Sequence, residues 1–373
     1  MEFDDLLKIL VQKGGSDLFI TADVPPSLKL NGKIIPITKS PLSPEMAHDV
    51  VFSIMNEQQR KEFMQTKECN FAISTPGIGR FRVSAYYQRN LAGMVLRRIE
   101  TTIPKVDDLS LPEIVKELAM AQRGIVIFVG ATGTGKSTSL AAMIGHRNAN
   151  SRGHIITIED PIEYVHPHNN CIITQREVGI DTESYEIALK NTLRQAPDVI
   201  LIGEIRTREV MDFAIAFAET GHLVLATLHA NNANQALERI IHFFPADRQQ
   251  QIFMDLSLNM RGIVAQQLVP TPDGKARRAC IEVLLNTPLI SDHIRKGEVH
   301  LVKEVMKKSR DSGMQTFDQA LYDLYTAGEI TYEDALKYAD APNDLRLMIK
   351  LGAESDARFL DQATRGLTIQ PSD

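Results

Sequence analysis

The chain has 373 residues, of which 43% are hydrophobic and 24% are charged, the balance of a folded soluble protein with two or three domains. Its net charge of −6 argues against nucleic acid or an anionic membrane as the main partner, because both attract basic surfaces. No apolar run has the ~18 residues of a membrane span, and Cys69, Cys171 and Cys280 form no zinc-type CxxC pair. The acidic N-terminus, MEFDDLLKIL, lacks the pattern of a secretory signal. We therefore expect a reduced, cytoplasmic protein that does not insert into a membrane.

Residues 1–103 have the pattern of a small α/β module. SDLFIT and SLKLNGKIIPI predict short strands joined at an Asn31-Gly32 turn, and SPEMAHDVVFSIM predicts a helix. In the next predicted strand, GRFRVSAYYQR, alternation places Arg80 and Arg82 on the face opposite the apolar residues. A last strand, LAGMVLRRI, precedes residues 104–122, which we expect to be a linker because prolines and aspartates interrupt the pattern.

From residue 123 short apolar runs alternate with helical stretches. GIVIFVG, HIITIE, DVILIGE and HLVLATLH lack polar alternation, which is typical of strands buried in a parallel sheet between helices. Residues 248–268 predict one long amphipathic helix, and residues 317–339 a helical pair with Gly328 and Thr331 as caps. We expect an α/β core over 123–270, a mostly helical segment over 271–351 and a mobile tail over 352–373.

A glycine-rich turn follows the first of these buried strands. Gly130, Ala131, Thr132, Gly133, Thr134, Gly135, Lys136 and Ser137 fit G-x-x-x-x-G-K-[ST], with Thr138 next. Glycines let backbone N–H groups face a phosphate chain, and the following helix adds its positive end. Lys136 would reach the β- and γ-phosphates of ATP, and Ser137 would bind Mg²⁺. The alternative is a chance glycine-rich turn.

Acidic residues close two other predicted strands. Glu204 follows DVILI, where it can position a water or Mg²⁺ because parallel strands end beside the phosphate loop. Glu159, Asp160 and Glu163 crowd together after HIITI, which is favourable near a divalent cation. Solvated acids are the alternative at both places. His222 and His229 flank the strand LVLATL and by themselves indicate structure more than catalysis.

The order of the phosphate loop, ITIEDPIEYVH, the strand ending at Glu204 with Arg206, and GHLVLATLH resembles the secretion ATPase superfamily of type II secretion and type IV pili. QREVG, AETGHLV and GMQTFDQAL resemble the pilus retraction branch, the PilT/PilU group, and the tail resembles the PilU type. The longer N-terminal extension and tetracysteine motif usual in assembly and secretion ATPases are missing from this sequence.

The resemblance implies a RecA-like P-loop ATPase core, a smaller PAS-like α/β N-terminal domain and a helical C-terminal segment. It implies a hexameric ring in which the N-terminal domain supplies arginines to a nucleotide site. Glu163 would assist the attacking water, Glu204 would position Mg²⁺ and water, and the histidines would sense the nucleotide. The other implied site residues are Glu159, Asp160, Arg206, Arg80, Arg82, Arg97 and Arg123.

The implied partners are further copies of this chain, a partner retraction ATPase and the inner-membrane platform protein of the pilus, with a peripheral location at the base of the pilus machine. Two departures from the retraction branch favour an accessory motor. Where the branch has a motif like AIRNLIRE, this chain has Ser291 and Lys296, and Thr207 stands where an aspartate is common. An assembly or secretion motor, and a nucleotide-dependent binding module acting through a partner motor, are the alternatives.

Overall fold

The computed structural model describes residues 2–30, 32–100 and 102–352. Two compact units divide the chain. The first unit comprises Met1–Ile103, Ile156–His168 and Ile173–Asn191, and the second comprises Pro104–Ile155, Asn169–Ile172 and Thr192–Asp373. The expected tail from residue 353 onward, and Asn31 of the expected turn, lie outside the described residues.

A six-stranded antiparallel sheet is the centre of the first unit, in the order β3-β2-β1-β6-β5-β4. The apolar face of β5 packs with α1, α2 and α3 in a core that includes Leu10, Val51, Phe63, Phe81 and Val83. This confirms the alternation predicted for β5, which leaves its arginines on the other face. The bounds are α1 Phe3–Gln12, β1 Asp17–Ile20, β2 Ser27–Leu30, β3 Lys33–Pro36, α2 Pro44–Ser53, α3 Glu57–Thr66, β4 Glu68–Thr75, β5 Gly79–Gln88 and β6 Leu91–Ile99.

A seven-stranded sheet in the order β13-β12-β7-β11-β10-β8-β9 forms the α/β core. Every residue of β7 and β11 is buried, as expected for strands covered on both faces. The pairs β10–β11, β11–β7 and β12–β7 are parallel. The bounds are α4 Ile114–Ala119, β7 Gly124–Val129, α5 Lys136–Asn150, β8 Gly153–Glu159, β9 Cys171–Glu177, α6 Tyr185–Thr192, β10 Val199–Ile202, α7 Arg208–Glu219, β11 Leu223–Leu228, α8 Ala233–His242, α9 Ala246–Asn259, β12 Met260–Pro270 and β13 Arg277–Leu285.

The prediction of one helix over 248–268 is wrong. The helix α9 ends at Asn259, and the chain continues directly as β12, because the run GIVAQQLV pairs with β7 and β13 and is almost wholly buried between them. Gly262 permits the close approach to β13, since a Cβ there would lie 2.7 Å from the Leu284 carbonyl oxygen. The sheet thus extends past residue 270 into the segment that we expected to be mostly helical.

The segment 104–122 differs from a bare linker. It contains α4, and its apolar residues Val106, Val115 and Leu118 are buried. The Arg147 guanidinium donates to the carbonyl oxygens of Ala119 and Ala121 at 2.8 and 2.7 Å. These contacts hold the end of the segment to α5, so it forms part of the second unit.

Helices follow β13 to the end of the described chain. Thr331 caps a helix by accepting the N–H of Asp334, and Gly328 has φ +72°, as both caps were predicted. No helix within residues 2–352 is long and apolar enough to cross a membrane. The helices are α10 Pro288–Lys296, α11 Val299–Lys307, α12 Phe317–Thr326 and α13 Tyr332–Tyr338, and residues 342–352 are also helical.

Candidate functional site

The glycine-rich turn connects β7 to α5, the context that its motif predicts. Gly130 has φ +153°, and a Cβ there would lie 2.5 Å from the Gln266 carbonyl oxygen. Gly135 has φ +90° and would place a Cβ 2.8 Å from Gln266 Nε2. Both positions therefore require glycine. The Lys136 ammonium, almost fully buried, donates to the carbonyl oxygens of Gly130 and Ala131 at 2.8 Å each. The turn thus has the glycine conformations and the helix N-terminus that a phosphate-binding loop requires.

Gln266 of β12 packs against the glycine-rich turn, and the sequence analysis did not identify it. Its buried amide oxygen accepts the Ser139 hydroxyl at 2.7 Å, so it joins β12 to the first turns of α5. The sequence feature that could have indicated Gln266 is a pair of glutamines inside an apolar run. Because residues 248–268 were interpreted as one helix, this pair was not recognised as part of a buried strand. A buried amide is kept in a strand only where it has partners, as here.

Glu204 lies at the same edge of the sheet as the phosphate loop. Because β7, β11 and β10 are parallel neighbours, their carboxyl ends bring Gly130, His229 and Glu204 to one edge. The Glu204 side chain is 12% exposed; it pairs with Arg206, and its Oε2 lies 3.3 Å from His229 Nε2. Burial lowers the pKa of Lys136, and the negative charge of Glu204 opposes that shift. The carboxylate is thus close enough to act on the charge of the phosphate-loop lysine.

His222 and Arg123 lie at the other edge of this sheet. His222 precedes β11 and Arg123 precedes β7, and the Gly124 N–H donates to the His222 carbonyl oxygen at 3.0 Å. Six strand residues, about 20 Å, separate this edge from the phosphate loop. The His222 ring nitrogen Nδ1 instead lies 3.1 Å from the Thr220 hydroxyl. Within one chain, the structure does not bring His222 or Arg123 to the phosphate loop.

The three acids after β8 differ in their surroundings. Glu159 accepts the Thr157 hydroxyl at 2.6 Å and the Gln175 amide at 3.1 Å. Burial raises the pKa of Glu159 to about 7, and nearby Glu163 adds to the shift. Asp160 and Glu163 are both exposed, and Asp160 lies 4.0 Å from Arg82. Of the three, Asp160 and Glu163 are the carboxylates available to solvent.

Three candidate site arginines of the first unit, Arg80, Arg82 and Arg97, lie on one face of its sheet. Arg82 of β5 is directly opposite Arg97 of β6, and Arg80 is two residues away on the same face. Arg97 Nε bonds to Asp17 Oδ1 at 2.9 Å, so its head is anchored to a buried carboxylate. Arg82 lies 4.0 Å from both Asp160 and Glu177, a residue that sequence reasoning quoted in a motif but gave no role.

A family model described as type II/IV secretion system protein matches residues 6–327. The chain belongs to this family. It is 73% identical over 373 residues to the type IV pilus ATPase PilU of Pseudomonas aeruginosa, covering 100% of this chain and 98% of that protein. It is 37% identical over 344 residues to the type IV pilus retraction ATPase PilT of the same organism, covering 92% and 100%.

Solved structures agree with the sequence comparisons. The crystal structure of the pilus retraction motor PilT with bound ADP superposes with a TM-score of 0.87 at 38% identity, covering 93% of this chain and 99% of that one. The expected RecA-like α/β ATPase fold is confirmed. The chain is a PilU-like ATPase associated with type IV pilus retraction and twitching motility.

Proposed function

We propose that the chain is a Mg²⁺-dependent ATPase that forms a homo-hexameric ring and assists pilus retraction as an accessory motor. It would act beside a partner retraction ATPase on the inner-membrane platform protein, on the cytoplasmic side at the base of the pilus machine. The observation that carries the proposal is the 73% identity to PilU over the whole chain, joined to a phosphate loop in which glycine is required at two positions.

The phosphate loop and Lys136 would bind ATP. Its backbone N–H groups would bind the phosphates, and the Lys136 ammonium, which here contacts the Gly130 and Ala131 carbonyl oxygens, would turn to the β- and γ-phosphates. Thr132, Thr134 and Thr138 complete the loop.

Mg²⁺ fits the donor set at this edge. No group of three or more His, Cys, Asp or Glu within the described residues is arranged to hold a metal ion. The Ser137 hydroxyl and the Glu204 carboxylate offer hard oxygen ligands, and Mg²⁺ is commonly held by one or two such groups together with substrate phosphates. When bound, the ion neutralises charge on the transferring phosphoryl group.

Glu204 and Glu163 would handle the attacking water. Arg206 and His229 orient the Glu204 carboxylate, which can accept a hydrogen bond from a water beside the phosphates. Glu163, an exposed acid after β8, is the second candidate to assist that water. Glu159 holds the loop through its hydrogen bonds with Thr157 and Gln175, and Asp160 lies 4.0 Å from Arg82.

Arginines of the first unit would complete the site across a subunit boundary. Arg82 is the strongest candidate, with Arg80 beside it, because Arg97 is already bonded to Asp17. An arginine supplied to a phosphoryl group typically accelerates transfer by roughly 10³- to 10⁵-fold. A ring of such shared sites makes hydrolysis depend on assembly.

The accessory assignment rests on α10. Ile290 and Ile294 are buried, Ser291 donates to the Ser257 carbonyl oxygen at 2.8 Å, and Lys296 pairs with Asp292 at 2.6 Å. Ser291 and Lys296, the residues that differ from the retraction motif, thus each have a partner in this structure, and they change the charge that this helix presents. That alters output to a partner and leaves the phosphate site intact.

Phosphate release by the purified chain, alone and mixed with the partner retraction ATPase, tests this proposal, with negative-stain images taken with and without ATP. We expect hexameric rings, measurable turnover alone and a higher rate in the mixture. Rings that show no turnover in either condition would indicate that the chain is a nucleotide-dependent binding module and not a motor. Restored pilus assembly, in place of retraction, in cells lacking an assembly ATPase would favour an assembly motor.

A further inference from the structure

The motif QREVG, residues 175–179, contains a carboxylate for which the proposed chemistry has no use. Glu177, the last residue of β9, has a relative exposure of 0%. Its backbone is fixed by a tight turn, because its N–H donates to Asp181 Oδ2 at 2.9 Å and its carbonyl oxygen accepts the Asp181 N–H at 2.8 Å. A buried acid in so fixed a position needs a compensating partner.

The two oxygens of the Glu177 carboxylate have different surroundings. Oε2 accepts the Ile162 N–H at 3.3 Å, which sets the orientation of the group. Oε1 lies 4.0 Å from Arg82 Nε, beyond hydrogen-bond distance. Among the described residues, neither Glu177 Oε1 nor Arg80 Nε has a hydrogen-bond partner. The carboxylate therefore balances the two guanidinium groups by charge without occupying their donors.

This arrangement contrasts with the pair formed by Arg97 and Asp17 in the same sheet. There a hydrogen bond of 2.9 Å commits the guanidinium to one carboxylate. Arg82 instead lies at 4.0 Å from Asp160 on one side and Glu177 on the other. A guanidinium held by charge in this way keeps its N–H donors directed but uncommitted, which is the state that recognition of a phosphate oxygen requires.

We propose that Glu177 is a positioning residue for ATP hydrolysis, which holds the Arg82 guanidinium in place through its buried negative charge. The inference rests on the proposed function, in which Arg82 acts on nucleotide. Burial raises the pKa of Glu177 above its usual value, and the Ile162 N–H and the charges of Arg82 and Arg80 oppose that shift, so the two arginines favour the ionised form of the carboxylate.

The test is a double-mutant cycle on turnover in the full-length ring. Glu177→Gln keeps the shape and removes the charge, and we expect kcat to fall about 10- to 100-fold, the range of a small misplacement of a catalytic group. ADP affinity and ring assembly should change by less than about threefold. Arg82→Gln should also lower kcat, and the double variant should lose no more than about threefold beyond the larger single loss, because Glu177 acts through Arg82.

The matched control is Glu282→Gln. Glu282 of β13 is also a buried glutamate and accepts a backbone N–H, that of Ala233, at 2.8 Å. If Glu282→Gln lowers kcat, the double variant with Arg82→Gln should show the product of the two single fold-losses in kcat, because the two residues act independently. Glu177→Asp keeps the charge and should give a kcat between those of the native chain and Glu177→Gln; it also replaces Glu177→Gln in the cycle if the latter fails to fold.

Three results would count against the inference. Multiplying losses in the cycle, or equal kcat for Glu177→Asp and Glu177→Gln in folded rings, would overturn the positioning role alone. Unchanged turnover in Arg82→Gln would remove Arg82 from the proposed function, and the inference with it.

Discussion

Replacing Glu204 by glutamine tests the chemistry at the edge of the α/β sheet. The amide keeps the size of the side chain and one acceptor oxygen, so contacts with Arg206 or His229 can persist while the charge is lost. Removing general-base or electrostatic help typically costs roughly 10²-fold or more, which is about 2.7 kcal/mol of barrier. Because the side chain is only 12% exposed, little solvent screening weakens the effect.

The assay is steady-state phosphate release from purified rings, with ADP affinity measured separately. We expect kcat to fall at least about 10²-fold and ADP affinity to stay within about threefold. Glu209→Gln is the matched control, since Glu209 is exposed on α7. Within the described residues its ion pair is with the adjacent Arg208. Turnover within about threefold of the native rate in folded Glu204→Gln rings would show that Glu204 is not catalytic.

Four further outcomes are expected. Lys136→Ala should weaken ATP binding strongly because it removes the ammonium of the phosphate loop; an unchanged dissociation constant would contradict the site. Burial lowers the pKa of Lys136 and the negative charge of Glu204 opposes that shift, so Glu204→Gln should lower the pKa of Lys136 further. Because ADP binding needs the charged ammonium, ADP affinity should then begin to fall at a lower pH in Glu204→Gln than in the native chain, as measured by ADP titrations over a range of pH. Rings of Arg82→Ala should bind ATP but hydrolyse poorly, and mixing with Lys136→Ala should restore activity; mixed rings without recovery would argue against sites shared between subunits. Arg295→Ala, in a half-exposed residue paired with Asp292, should keep turnover within about threefold yet impair retraction in cells, and normal retraction would exclude α10 from force transmission.

The sequence predicted the parts of the site that depend on local pattern. A glycine-rich turn of this motif between a buried strand and a helix is typical of phosphate binding, so the sequence alone predicts that role for residues 130–137. Runs of apolar residues predicted strands buried on both faces, and parallel order then predicted that Glu204 lies beside that turn, as the strand pairing shows. Alternation placed Arg80 and Arg82 on the polar face of β5.

Tertiary structure decided whatever depends on which segments meet. The run 260–268 has a pattern that suits a helix or a strand, and only pairing with β7 and β13 made it the strand that brings Gln266 under the phosphate loop. The two histidines flank the same strand in sequence, yet the length of β11 separates them, so His229 reaches Glu204 and His222 does not. Nothing in the sequence distinguishes Glu177 from other acidic residues, whereas the structure buries it 4.0 Å from Arg82. The energetic effect of a charge depends on its burial and on the charges near it, and both are set by the tertiary structure.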